Sequence, residues 1–273
     1  MVLGTMLRVP RIGSRDGVTL IELLIVIMII GLLTTAALKA YDTSLQAARL
    51  RSTMRTLDEL SAAIVGNPDL VSGGIRTDYG YVGDVGRLPE KIQDLVQRPA
   101  DVDTGLWHGP YVLPKVAENP AGFVVDAWGD SLIYDAESLS ITSRKGYSIL
   151  QPSGWIVRKM AANSDVLLRN RFGGIIFDAK GDVPSAAKAE SLRVVLLYPQ
   201  NGRLITTDTL KGAAQIVNGN FWYPERITVG NHKLYVRYIP SPPDTAVILE
   251  RTVSVYPGAK NRNWVEIHLP IPF

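Results

Sequence analysis

The chain has 273 residues and no cysteine, which excludes disulfide frameworks and zinc–thiolate sites. Its 29 Lys and Arg against 26 Asp and Glu give a formal charge of +3, and Arg8, Arg11 and Arg15 against Asp16 place +2 of it in the first 17 residues. Little net charge is left for the rest and no Lys/Arg-rich block occurs, so the charge does not indicate a basic nucleic-acid face, and no nucleic-acid partner is expected.

The first predicted element is an apolar helix. From Val18 to Leu38 there are 21 residues without Lys, Arg or Asp, and Glu22 is the one ionisable group among them. At a rise of ~1.5 Å per residue this run is about 31 Å long, enough to cross the hydrocarbon core of a bilayer. A carboxylate inside such a helix costs ~2.5–3.5 kcal/mol on insertion scales, so Glu22 calls for a functional explanation. A secretory signal peptide would have a shorter apolar stretch and an Ala-x-Ala-like site, whereas Thr34-Thr35-Ala36-Ala37 follows here. A plain membrane anchor accounts for the length, but not for Gly17 just before the run or Glu22 within it.

The segment Gly17-Val18-Thr19-Leu20-Ile21-Glu22-Leu23-Leu24-Ile25-Val26 resembles the processing signal of type IV pilins and type II secretion pseudopilins. That resemblance implies a leader, residues 1–17, cut by a membrane prepilin peptidase between Gly17 and Val18, with Val18 then N-methylated. Val18 stands where Phe is usual in the family. Gly31 falls where relatives have a flexible point in the helix. The resemblance further implies a single pass through the bacterial inner membrane, the bulk of the chain in the periplasm, and partners that are other pilin or pseudopilin subunits and an inner-membrane assembly platform. Charge alone leaves the orientation open, because three Arg precede the run and Lys39, Arg49 and Arg51 follow it.

Beyond the bilayer the apolar pattern continues. Tyr41, Leu45, Ala48, Met54, Leu57, Leu60 and Ile64 recur at helical spacing among charged residues, and Gly66-Asn67-Pro68 supplies a stop. One helix is predicted over 18–65, with 18–38 transmembrane. Its outer half is expected to pack on the protein's own head and its inner half on neighbouring subunits in a filament. In such a bundle the N-terminal amine of an adjacent Val18 would pair with Glu22.

A pilin-like globular region is expected over 41–185. Pro89 to Val96 reads as a short helix with Pro in its first turn. Gly80, Gly83 and Gly86 are spaced G-x-x-G-x-x-G, which is not the dinucleotide fingerprint. Trp107-His108-Gly109-Pro110-Tyr111 and Asp126-Ala127-Trp128-Gly129-Asp130, with Tyr134 after them, resemble the loop of the major type II secretion pseudopilin, with Ala127 and Asp130 in place of Pro and Asn. A small antiparallel sheet packed on Leu57, Leu60 and Ile64 follows from that resemblance. Some relatives bind calcium nearby. Here Ile141 to Gly146 has too few oxygen ligands, and the loop opened by Asp101 and Asp103 has Val112 at its twelfth position, so turn chemistry explains these acids and neither metal nor cofactor is expected.

A second region is expected over 186–273. His232 to Tyr238, Thr252 to Val255 and Trp264 to Leu269 alternate as half-buried strands, and Leu192 to Tyr198 and Phe221 to Thr228 add more. The pattern predicts a small all-β sandwich. The turn at Val229-Gly230-Asn231 and the run Arg251 to Gly258 resemble carboxypeptidase-regulatory-like sandwiches, which support structure or binding. The fold class is therefore α+β: a long N-terminal helix, a small antiparallel sheet and a C-terminal all-β sandwich.

No catalytic motif is present: G-x-S-x-G, G-x-x-x-x-G-K and H-E-x-x-H are all missing. His108, His232 and His268 occur without clustered acids and are expected at the surface. Trp222, Tyr223, Tyr235 and Tyr238 suit either a binding face or sheet packing. The chain reads as a non-enzymatic pilin-like subunit of a type II secretion pseudopilus. The alternatives are a minor pilin or tip adhesin of a type IV pilus, and an uncleaved membrane-anchored periplasmic binding protein.

Overall fold

Helix α1, Leu20–Val65, begins the structure, a computed structural model describing residues 18–113, 122–147, 150–240, 246–258 and 263–273. Two compact units divide the chain at Arg49 and Leu50. In the first, α1 is exposed on every side from Leu20 to Ser44. In the second, the last turns of α1 bury Thr53, Leu57, Leu60 and Ile64. The helix stops at Gly66, whose φ of +77° accompanies a hydrogen bond from its N–H to the Ala62 carbonyl at 2.7 Å. A Cβ there would lie 2.4 Å from both the Asp78 carbonyl oxygen and the Tyr79 Cα, so only glycine fits.

A two-stranded hairpin, β1 (Val71–Ser72) and β2 (Ile75–Arg76), leads to the short α2 (Gly80–Val85). Within Pro89 to Val96 the expected short helix is confined to a 3₁₀ turn. The turn is Ile92–Leu95, entered from an extended Lys91, and the Asp94 carboxylate caps it by accepting from the amides of Glu90 (2.9 Å) and Lys91 (3.3 Å). The antiparallel strands β3 (Ile133–Asp135), β4 (Ser140–Ser143) and β5 (Ile156–Lys159) follow. Ile141 of β4 shares a core with Leu57, Leu60 and Ile64, as the expected small sheet on α1 requires.

After α3 (Asp165–Leu168), β6 (Asn170–Phe177) opens the sandwich. The remaining elements are α4 (Ala186–Ala189), β7 (Leu192–Gln200), β8 (Arg203–Ile205), β9 (Thr209–Lys211), β10 (Ile216–Val217), β11 (Asn220–Ile227), β12 (Gly230–Tyr238), β13 (Val247–Val255) and β14 (Trp264–His268). One sheet runs β10-β11-β6-β14 and the other β13-β12-β7-β8, with β9 also on β7. β6 precedes the expected boundary at 185/186, yet it pairs with β11 and β14, because Phe172 and Ile176 belong to the sandwich core. β14 runs parallel to β6, so the first sheet is mixed. The free edge of β14 is blunted: the Arg251 guanidinium on β13 donates to the Glu266 carbonyl at 2.6 Å.

Alternation along β12 puts Leu234, Val236 and Tyr238 inside, and with them His232, which is 2% exposed. The surface expectation for His232 is therefore wrong. His232 has the same period-two parity as Leu234, and that was the signal for its burial. His108 and His268 are exposed. The aromatics divide too: Tyr223 and Tyr238 fill the core, while Trp222 faces outward beneath the Arg171 guanidinium (4.0 Å) and beside Trp264 (4.9 Å).

Candidate assembly site

The site begins where α1 begins. Val18 and Thr19 precede the first helical residue, and Gly17 lies outside the described residues. The Thr19 hydroxyl accepts from the Glu22 amide at 3.3 Å, and the Thr19 carbonyl accepts from the Leu23 amide at 3.2 Å. Thr19 is thus the N-cap and Glu22 stands at N3, the spacing of a capping box. A carboxylate in the first turn also lies at the positive end of the helix dipole. The S/T-x-x-E spacing at 19–22 was the signal for Thr19, which sequence reasoning had passed over.

Through the apolar half, every large hydrophobic residue from Leu20 to Leu38 is at least 48% exposed, so none of the described residues covers this surface. This helix is long and apolar enough to cross a membrane. Its two hydroxyls in that stretch are satisfied internally: Thr34 donates to the Ile30 carbonyl at 2.7 Å and Thr35 to the Gly31 carbonyl at 2.8 Å. Such back-bonding removes the cost of a bare hydroxyl in an apolar medium and tends to bend a helix. At Gly31 a Cβ would meet nothing within 4 Å, so packing within the protomer does not account for glycine there.

The two head motifs sit against the outer unit's own stretch of α1 and against α2. The Thr53 hydroxyl on α1 accepts from the Ala127 amide at 3.0 Å. Buried Asp126 holds that loop by accepting from the amides of Trp128 and Asp130, both at 2.9 Å, and from the Ser143 hydroxyl at 2.5 Å. In the other motif, Tyr111 donates to Asp84 of α2 at 2.7 Å, and His108 Nδ1 lies 3.1 Å from the same oxygen. Burial raises the Asp84 carboxyl above its ordinary range, and burial together with the adjacent Asp84 raises the Tyr111 phenol. Trp107 donates to the Asp94 carbonyl at 3.1 Å. These contacts are fully used in holding the head together.

The acids of the calcium-like sequence are also engaged. Asp101 forms a two-pronged pair with Arg87 (2.6 and 3.0 Å), and Asp103 accepts from the Leu204 amide. Among the described residues no group of three or more His, Asp or Glu side chains is placed to hold a metal ion.

Comparison with known proteins adds to this geometry. Residues 13–38 match the family described as the prokaryotic N-terminal methylation motif. The chain is 29% identical over 154 residues to the type II secretion system core protein G of Xanthomonas campestris pv. campestris, an alignment that covers 54% of this chain and 94% of that relative. Together the matched motif and the aligned relative support placing the chain in the pilin and pseudopilin family, whose members are structural subunits. The C-terminal extension is compatible with the two packed sheets described above. No solved structure matches the chain.

Proposed function

We propose that the protein is a processed subunit of a type II secretion pseudopilus. In this reading prepilin peptidase removes residues 1–17 by cutting between Gly17 and Val18, and Val18 becomes N-methylated. The mature protein waits in the inner membrane as a single-pass protein with its head in the periplasm. An assembly platform then extracts it into a filament with other subunits. The proposed organisation is a stem over 18–65, a pilin-like region after it, and a β-sandwich that opens with β6. The protein's work is assembly, not catalysis.

One observation carries this reading: the stem's apolar surface from Leu20 to Leu38 is wholly exposed in the protomer and begins with a capped first turn containing Glu22. Lipid covers such a surface before assembly, and neighbouring stems cover it afterwards. In a bundle of stems Glu22 meets the amine of a neighbour's Val18, while the softened helix near Gly31 and Thr35 lets each stem adjust.

Intact-mass measurement tests the proposal. Loss of residues 1–17 with a gain of about 14 Da, one methyl group, is expected. An unprocessed N-terminus would instead identify an anchored binding protein. Glu22→Ala is expected to insert in the membrane yet enter filaments poorly when subunit contacts are captured by crosslinking; normal incorporation would remove the role given to Glu22. A second reading, a minor pilin or tip adhesin, draws on the fact that the aligned relative covers only 54% of the chain. A bulky extra head would crowd a filament made of this subunit alone. A deletion strain separates the two: loss of an exported protein favours the pseudopilus, and loss of pili favours the minor pilin.

A further inference from the structure

The outer unit has two cores, and a short corner is one of the ties between them. Ile227 ends β11 in the sandwich core, while Val229, two residues on, is buried in the helix-backed core. Three bonds hold the corner. The Val229 amide donates to the Leu167 carbonyl at 2.9 Å, the Thr228 hydroxyl donates to the Pro199 carbonyl at 2.9 Å, and His232 Nε2 donates back to the Thr228 carbonyl at 2.8 Å. Gly230 lies so close to α2 that a Cβ there would be 3.0 Å from the Gly83 carbonyl oxygen. The far end of α2 is tied to the sandwich as well, through the Gly202 amide on the Val85 carbonyl at 2.8 Å.

We propose that the corner Thr228–His232 is an acid-sensitive clasp between the two cores, closed while His232 is neutral and opened when it takes up a proton. Because Nε2 already carries the hydrogen given to Thr228, the second proton goes to Nδ1 and creates a full charge at a buried position. The groups around the ring do not compensate it. From β7 comes the Tyr198 ring, 6.2 Å away and edge-on, with its hydroxyl turned to Asp208, which Arg226 already holds. From β13 comes Val253, opposite His232 in the register. α2 presents the Gly83 backbone, and its one acid, Asp84, is engaged by Tyr111 and His108.

Burial lowers the His232 pKa from 6.5 to about 4. A base depressed in the folded state contributes stability that is complete above its unfolded pKa and is lost as pH falls from there towards the folded value. The opening equilibrium is therefore expected to rise on the order of 10²-fold between about pH 7.5 and pH 4.

Hydrogen exchange on the full chain in detergent micelles tests this, with protection corrected for the intrinsic rate at each pH. Lowering the pH to about 4.5 is expected to cut protection tens-fold in residues 227–233 and 200–204, and much less in the central β12 ladder at 234–238. His232→Gln keeps a side-chain N–H but takes up no proton, so it is expected to abolish the acid-induced loss. Equal loss in His232→Gln and the parent, or no local loss in the parent, would overturn the clasp. Should His232→Gln fail to fold, NMR titration of the His232 ring in the parent decides: a midpoint well below 6 supports the clasp, and one near 6.5 overturns it.

Discussion

The two ends of α1 have opposite fates. Leu24 and Leu60 are the same residue in one continuous helix, yet Leu24 is 56% exposed and Leu60 is 1% exposed. The inner stretch is the more apolar of the two and is the one left uncovered. Apolar character therefore states that a surface must be covered, and the rest of the fold decides whether the protomer covers it or leaves it to lipid and neighbours. The outer stretch is amphipathic because only the face toward its own head is closed. The inner stretch is apolar all round, and none of the described residues covers any of its faces.

The sharpest way to break this contrast is a matched pair of truncations. Leu60→Ala should destabilise the head by roughly 2–5 kcal/mol, since it leaves a cavity in a closed core. Leu24→Ala should leave head unfolding unchanged, as followed by thermal denaturation of the full chain in detergent. Equal effects would mean that the two stretches of α1 do not differ as described. A smaller effect is expected at the point where the helix ends. Gly66→Ala forces a Cβ into the Asp78 and Tyr79 backbone at positive φ, a cost of about 2 kcal/mol or more in the same melt. An unchanged midpoint would show that the chain after α1 can relax.

The smallest effect sharpens the contrast instead of breaking it. Thr53→Val keeps the shape of the outer helix but removes the acceptor for the Ala127 amide, at a cost of about 1 kcal/mol. Thr35 makes its hydrogen bond within the helix, so Thr35→Val should leave the head melt unmoved. If both substitutions were silent, the Asp126–Asp130 loop would owe its position to Asp126 and Ser143 alone.

Much of this organisation could be read along the chain. The stem, its stop at Gly66, the core positions Leu57, Leu60 and Ile64, and the strands around β7, β11, β12 and β14 all follow from local periodicity and from residues with restricted backbones. The N-cap at Thr19 was equally local and was missed. Its signal is one spacing, and the membrane acid drew attention to Glu22 alone. Of the short helix expected over Pro89 to Val96, one 3₁₀ turn forms, Ile92–Leu95, and Asp94 caps its start by accepting from the amides of Glu90 and Lys91.

By itself the sequence determined where surfaces must be buried, because hydropathy at a period of 3.6 or 2 is set by neighbours a few residues away. It thereby determined the class of chain: an apolar stem with a processing-type start, followed by β-rich head regions. Tertiary structure alone decided which surfaces meet. It drew β6 into the sandwich, ran β14 parallel to it, and passed the corner at Val229 through the other core. It also enclosed His232, whose neighbours Tyr198 and Val253 lie 34 and 21 positions away along the chain. Local pattern states which way a side chain points, but what it meets there depends on segments brought together by folding.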